Sequence, residues 1–164
     1  MHIEVLEEGL DVSKLLAEAN QVKVMMNIGW GEFTQAGLQG YAPNLPPKHS
    51  KDSVGRVDRL QYPETYFKYP LFDFPNINRL MDKYGLIRTR LMMSQPKTCL
   101  TLHQDLSKRI HIPLMTTPDS VMIIENQVYH LEAGKVYLTN TTLRHTAVNA
   151  SRAPRLHIVG AMYS

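Results

Sequence analysis

Apolar residues along this chain recur at two different spacings. In Pro75-Asn-Ile-Asn-Arg-Leu-Met-Asp-Lys-Tyr84 they fall at Ile77, Leu80, Met81 and Tyr84, one stripe of helical period. Pro75 suits the first helical turn and Gly85 the position after the last. A second helix is predicted over Asp11-Val-Ser-Lys-Leu-Leu-Ala-Glu-Ala19, which opens on a capping aspartate and continues in good helix formers. The remaining pattern is short runs bounded by turn residues. These predict strands over residues 21–27, 86–93, 98–102, 109–114, 121–124, 127–131, 135–139, 144–148 and 155–162. Glu125-Asn126 and Glu132-Ala-Gly134 read as hairpin turns. The fold class predicted is mainly β, an antiparallel sandwich or barrel with helices before it.

Between Ile28 and Arg56 the periodicity fails. Gly29, Trp30, Gly31, Gly37, Gly40, Pro43, Pro46 and Pro47 interrupt it. Such a long irregular segment is either a plain surface loop or a cover for a substrate. No internal repeat appears. One domain over residues 1–164 is the simplest organisation, with 1–85 helical and loop-rich and 86–164 the β core.

Composition narrows the function classes. The chain has 164 residues, 43% of them apolar, enough for a real core. Its net charge of +3 comes from scattered lysines and arginines, not the clustered basic and aromatic residues of a nucleic-acid binder. The single cysteine, Cys99, excludes an intrachain disulfide, and the usual zinc spacings are missing. Cys99 is expected as a small core residue, and Trp30 and Tyr137 as packing residues. No basic-then-apolar leader opens the chain, and no run approaches the ~20 apolar residues of a membrane span. A soluble, cytoplasmic protein is the expectation.

The stretch Thr101-Leu-His-Gln-Asp-Leu-Ser-Lys-Arg-Ile-His-Ile-Pro-Leu114 does not fit a purely structural strand. His103 and Asp105 stand two apart, so in an extended chain both face one point. Alone, the pair is common. A second imidazole from a distant strand would complete the two-histidine, one-carboxylate set that holds non-haem Fe(II) and leaves positions open. His145 is the candidate, with His130 and His157 competing on composition. Arg155 follows His145 by ten residues and Arg109 follows His103 by six, each where a strand begins. If both arginines point inward they need carboxylates, and no acid stands obviously near. A bound dicarboxylate would answer both.

Six pieces in order then resemble one family: Arg88-Thr-Arg-Leu-Met92, His103-Gln-Asp105, Arg109-Ile-His-Ile-Pro-Leu114, Leu131-Glu-Ala-Gly-Lys-Val-Tyr137, His145-Thr-Ala-Val-Asn149 and Arg155-Leu-His-Ile-Val159. Together they resemble the Fe(II)- and 2-oxoglutarate-dependent dioxygenases, within them the aspartyl/asparaginyl β-hydroxylase and cis-proline hydroxylase group. The resemblance implies a double-stranded β-helix, or jelly-roll, of cupin type. It implies Fe(II) on His103, Asp105 and His145, and 2-oxoglutarate with its distal carboxylate on Arg155 and with Arg109 and His111 close by. The vertebrate aspartyl β-hydroxylases lack the carboxylate ligand, whereas Asp105 is present here, which brings the proline hydroxylases closer.

The activity implied is hydroxylation of an amino acid, free or within a protein (Asp, Asn or Pro), using O2 and releasing succinate and CO2. Arg88 and Arg90, on one face of their predicted strand, are candidates for touching substrate. His111 and His157 are either polar filling or donors beside the iron ligands. Two other readings stand beside this one: a metal cupin without oxygenase chemistry, of isomerase type, and an inactive binding module of the same fold.

Overall fold

The computed structural model describes residues 1–27 and 34–163; Trp30 and the start of the irregular segment lie outside the described residues. Among the described residues twelve strands form: β1 (Ile3–Glu7), β2 (Gln35–Gly37), β3 (Gln39–Gly40), β4 (Tyr69–Pro70), β5 (Ile87–Ser94), β6 (Thr98–Cys99), β7 (Lys108–Met115), β8 (Ser120–Ile124), β9 (Gln127–Tyr129), β10 (Val136–Thr139), β11 (His145–Asn149) and β12 (Arg155–Met162). A six-stranded sheet runs β1-β10-β7-β12-β5-β2 and a four-stranded sheet runs β6-β11-β8-β9, all pairs antiparallel. β3 and β4 make a separate short pair. This is a mainly β, jelly-roll fold of cupin type.

Two helices cover one side of the larger sheet. α1 (Val12–Met25) opens at Asp11, whose side chain accepts the Lys14 backbone N–H at 3.2 Å. Leu15, Ala19 and Val22 keep its buried stripe going. The strand expected over residues 21–27 is therefore wrong: the alternation in Gln21-Val-Lys-Val24 is local, and Val22 continues the helical period set by Leu15 and Ala19. α2 (Pro75–Lys83) starts without a cap of its own. Glu18 of α1 supplies it, accepting the backbone N–H groups of Asn76 at 3.1 Å and Ile77 at 2.8 Å. Leu15, Ala19, Val22, Ile77, Leu80 and Met81 then pack with Leu91, Ile110, Ile112, Leu156 and Ile158 of the sheet in one core.

The N-terminal part also contributes strands. β1 pairs with β10 and β2 with β5, so the first half of the chain supplies both outer strands of the six-stranded sheet. The segment read as irregular contains β2, β3 and a 3-10 turn over Pro47–Ser53. Gly37 allows that turn to close on β2. A Cβ there would lie 2.2 Å from Ser53 Oγ and 2.5 Å from the Ser50 carbonyl. Cys99 is exposed, not in the core, because β6 keeps only two residues and both sides of it face outward.

Strand β5 carries a bulge that positions the site. Arg90 pairs with Val159 and Ile87 with Ala161, so Arg88 and Thr89 together oppose Gly160. Arg88 takes a φ of 48°, and a side chain on Gly160 would meet Leu86 and Thr89 at 2.9 Å.

Candidate metal centre

The inner face of the six-stranded sheet is ionic where its outer face is apolar. Strict alternation places Arg109 and His111 of β7, and Arg155 and His157 of β12, opposite the helix-packed Ile110, Ile112, Leu156 and Ile158. All four polar side chains are buried.

His103 follows β6 and meets His145, the first residue of β11, in an isolated antiparallel bridge. Two backbone hydrogen bonds close it, His103 N–H to His145 O at 3.0 Å and His145 N–H to His103 O at 2.9 Å. Residues directly opposite across such a bridge share a face, and the two imidazole centroids lie 4.3 Å apart. Asp105 is tied in by its own N–H to Thr141 O at 2.8 Å. His145 Nε2 is 3.4 Å from Asp105 Oδ2 and His103 Nε2 is 3.8 Å from Oδ1. Ligand atoms of His103, Asp105 and His145 all fall within 4.8 Å of one another. Neither His130, bonded through Nδ1 to Ser120 O, nor His157 joins them.

The donor set fits a metal. His103 Nδ1 lies 2.7 Å from Thr101 O and His145 Nδ1 lies 2.9 Å from Leu143 O. A carbonyl only accepts, so each Nδ1 carries the proton and each Nε2 presents a lone pair toward the aspartate, the outer-shell arrangement of metal-binding imidazoles. Burial pushes the Asp105 carboxyl up, but the neighbouring His145 ring and the Arg109 guanidinium outweigh it and hold it at about 2. It is a carboxylate at any ordinary pH.

The arginines divide into paired and unpaired. Arg109 reaches Glu64 at 3.0 Å and Asp105 at 3.6 Å. Arg88 reaches the same Glu64 at 3.2 Å and donates to the carbonyls of Ser53, at 2.8 Å, and Gly55. Tyr163 donates to the other oxygen of Glu64 at 2.5 Å. Glu64 is thus the acid that the sequence seemed to lack for Arg109. It sits in a 3-10 turn over Glu64–Tyr66, and only the burial of a glutamate among aromatics would have pointed to it. Arg155 has no such partner. It is buried, its Nε makes no hydrogen bond, and no acid pairs with it among the described residues. Burial alone lowers it to about 10. Beside it, His111 Nδ1 and His157 Nδ1 lie 3.0 Å apart, one donating and the other accepting, and His157 Nε2 is left without a partner. Burial, then the Arg155 charge, keep both rings neutral, His111 at about 3 and His157 well below its ordinary value.

The family model of the aspartyl/asparaginyl beta-hydroxylases matches residues 59–163, well over half of the chain. The chain belongs to that family. Its match starts ahead of β5 and takes in Glu64 as well as the three converging residues. An L-proline cis-4-hydroxylase of Rhizobium meliloti (strain 1021) is 25% identical over 95 residues, 52% of this chain and 34% of the relative, so the chain spans about a third of that relative's length. Among solved structures, the nickel complex of the non-heme monooxygenase ThoJ is similar with a TM-score of 0.52 at 13% identity, over 97% of this chain and 72% of that one. AviO1 of Streptomyces viridochromogenes Tue57 is similar with a TM-score of 0.51 at 12% identity, over 98% and 89%. Both likenesses are in fold. No helix among the described residues is long and apolar enough to cross a membrane.

Proposed function

We propose that this protein is an Fe(II)- and 2-oxoglutarate-dependent hydroxylase of an amino acid, free or within a peptide, with His103, Asp105 and His145 as the metal ligands. The observation that carries the reading is the coexistence of two features in one chamber: imidazoles whose Nδ1 protons are fixed on carbonyls, and a buried guanidinium, Arg155, with no acid partner among the described residues. A buried cation without a counter-ion costs stability unless a ligand supplies the charge. A bound dicarboxylate would supply it, with His103, Asp105 and His145 as the residues that would hold the metal.

In this reading the bound iron supplies the oxidation, in which O2 converts the keto acid to succinate and CO2 and one oxygen atom enters a substrate C–H bond. The protein's own residues bind and orient. Arg155 takes the distal carboxylate, and His157 offers its free Nε2 beside it. His111 is neutral and donates or accepts at the wall of the same chamber without adding charge. Arg109 bridges Asp105 to Glu64, which holds the aspartate in place while keeping it ionised. The relative that hydroxylates L-proline supports an amino-acid substrate.

Anaerobic addition of Fe(II) and 2-oxoglutarate tests the reading. The expected result is a metal–keto-acid charge-transfer absorption, absent from His145→Ala, and succinate release once oxygen and a substrate are admitted. Metal binding with no such absorption would turn the assignment to a cupin of isomerase type.

A further inference from the structure

The smaller sheet has an open edge that leads into the metal centre. β6 is its border strand, and among the described residues no strand lies on its far side. Thr98 stands opposite Asn149 and Cys99 opposite Val148, and the next residue, Leu100, donates its N–H to Ala147 O at 3.0 Å. In an antiparallel ladder the backbone groups of successive residues turn to opposite sides. Leu100 bonds inward, to β11, so the N–H and C=O of Cys99, one residue away, point outward. Every residue of Thr98-Cys-Leu-Thr-Leu102 is exposed and uncharged. Edge strands ordinarily carry a charge, a proline or a cover, because a bare edge pairs with other chains. This stretch has no charge and no proline.

Apolar surface follows the same edge. Leu100 and Leu102 are 50% and 53% exposed, and Leu106 is 74% exposed. Leu102 directly precedes His103 and Leu106 directly follows Asp105, so these leucines bracket the two partly exposed residues. In the register of β6, Leu100 falls opposite Ala147, which shares a face with His145 two residues along β11. The patch amounts to roughly 300 Å² of apolar surface, the size that marks a functional surface on a single chain. A second copy of the chain would need about 800 Å² on each side for a standard interface. A short extended segment needs much less, and the lack of charge suits an apolar one.

We propose that β6 is a docking edge for an extended apolar segment of a substrate polypeptide, which pairs with the backbone of Cys99, lays an apolar side chain on Leu100 and is led from there across His103 and Asp105. The proposal rests on the hydroxylase reading for calling the segment a substrate; its own evidence is the bare edge and its leucines. In such strand addition the main-chain bonds give affinity and alternate side chains give selectivity. An extended chain advances about 3.3 Å per residue, so the apolar residue on Leu100 stands roughly three or four positions from the residue presented at His103. A free amino acid would leave this edge unused.

Fluorescence anisotropy with the intact chain tests it, once with Fe(II) and 2-oxoglutarate in the absence of oxygen and once metal-free. The probes are labelled, end-blocked octapeptides with one Asp, Asn or Pro and with leucine or valine at alternate positions around it. Matched octapeptides carry serine in those places. The apolar peptides are expected to bind roughly tenfold or more tightly than the serine ones. N-methylation of one alternate set of backbone nitrogens should abolish binding and of the other set should not, since only one set faces β6. Leu100→Ser should weaken binding about tenfold. Cys99→Pro should weaken it about fivefold, because proline is tolerated on an edge whose N–H points outward and removes only that donor. Should Cys99→Pro fail to fold, the N-methylated peptides report the same bonds on the wild type. Equal binding of apolar and serine peptides would overturn the proposal. So would binding that ignores Leu100→Ser, or a dimer in sedimentation that Leu100→Ser dissociates, which would make a second copy the occupant. Peptide docking with no succinate release once oxygen is admitted leaves this edge assigned and sinks the hydroxylase reading; succinate release driven by free amino acids, with no peptide bound, does the reverse.

Discussion

The two faces of the six-stranded sheet do opposite work. On the outer face Ile110, Ile112, Leu156 and Ile158 meet α1 and α2 in a continuous apolar core. On the inner face, one residue away along the same strands, lie Arg109, His111, Arg155 and His157. The outer face stabilises the fold by removing apolar surface from water. The inner face gives some of that back, because buried cations and orphaned donors are costly. The contrast teaches that this chamber is maintained by the packing behind it, and that a residue's contribution to stability and to ligand binding can have opposite signs.

Substitutions on each face can break that contrast. The largest effect is expected at the junction with the smaller sheet. His145→Ala should abolish tight Fe(II) binding and succinate release while the protein keeps its fold, as read by calorimetric titration and circular dichroism. Next comes Glu64→Ala, which leaves Arg88 and Arg109 without their shared counter-ion; urea unfolding should show a loss of about 3–5 kcal/mol. On the outer face, Ile158→Ala should cost about 2–4 kcal/mol by opening a cavity under the helices, with keto-acid binding unchanged once the protein is folded. Arg155→Met should move the other way. It removes an unpaired buried charge, so the unliganded protein should gain about 1 kcal/mol in urea unfolding while keto-acid binding is lost. A destabilised Arg155→Met would show that the guanidinium has a structural partner and would remove the motive for a ligand there.

The smallest effect lies at the sheet's border. Glu7 of β1 accepts from Tyr84 at 2.6 Å and Lys83 at 2.9 Å and lies 3.3 Å from Arg79, which ties β1 to α2. The Tyr84 hydroxyl, then Lys83, hold its carboxyl at about 2. A lowered folded-state value means the contribution is complete above the unfolded value near 4.5 and is lost as pH falls through about 2. For a partly buried group at the sheet's border, with partners that water still reaches, this is about 1 kcal/mol or less. Acid unfolding of Glu7→Gln should lack that increment between those two pH values, and an unchanged acid midpoint would show the tie to be idle.

The sequence made the β core and its chemistry legible to different degrees. Strands 109–114, 121–124 and 155–162 announced themselves through alternation, and α2 through its stripe and its Pro and Gly ends. The three converging residues were legible because His103 and Asp105 stand two apart and His145 is followed by Arg155. What a linear reading could not supply was long-range pairing. Glu64 reaches Arg109 across 45 positions of sequence by way of a short 3-10 turn that has no periodic signature. The bulge opposite Gly160 depends on a register set by a strand some 70 residues later. β1 is too short and too exposed to stand out as a strand, and it owes its place to β10.

The outer positions of β1 and β2 have a further implication. Both borders of the large sheet are sealed by the half of the chain that precedes His103, Asp105 and His145, so the boundary near residue 85 divides the primary structure without dividing the folded body. A fragment holding His103, Asp105 and His145 without the first half would leave the backbone donors and acceptors of β10 and β5 open to water and to any passing strand. Such a fragment should precipitate or pair with its own kind, and the two border strands therefore serve the fold as chaperoning hems, present for solubility as much as for shape.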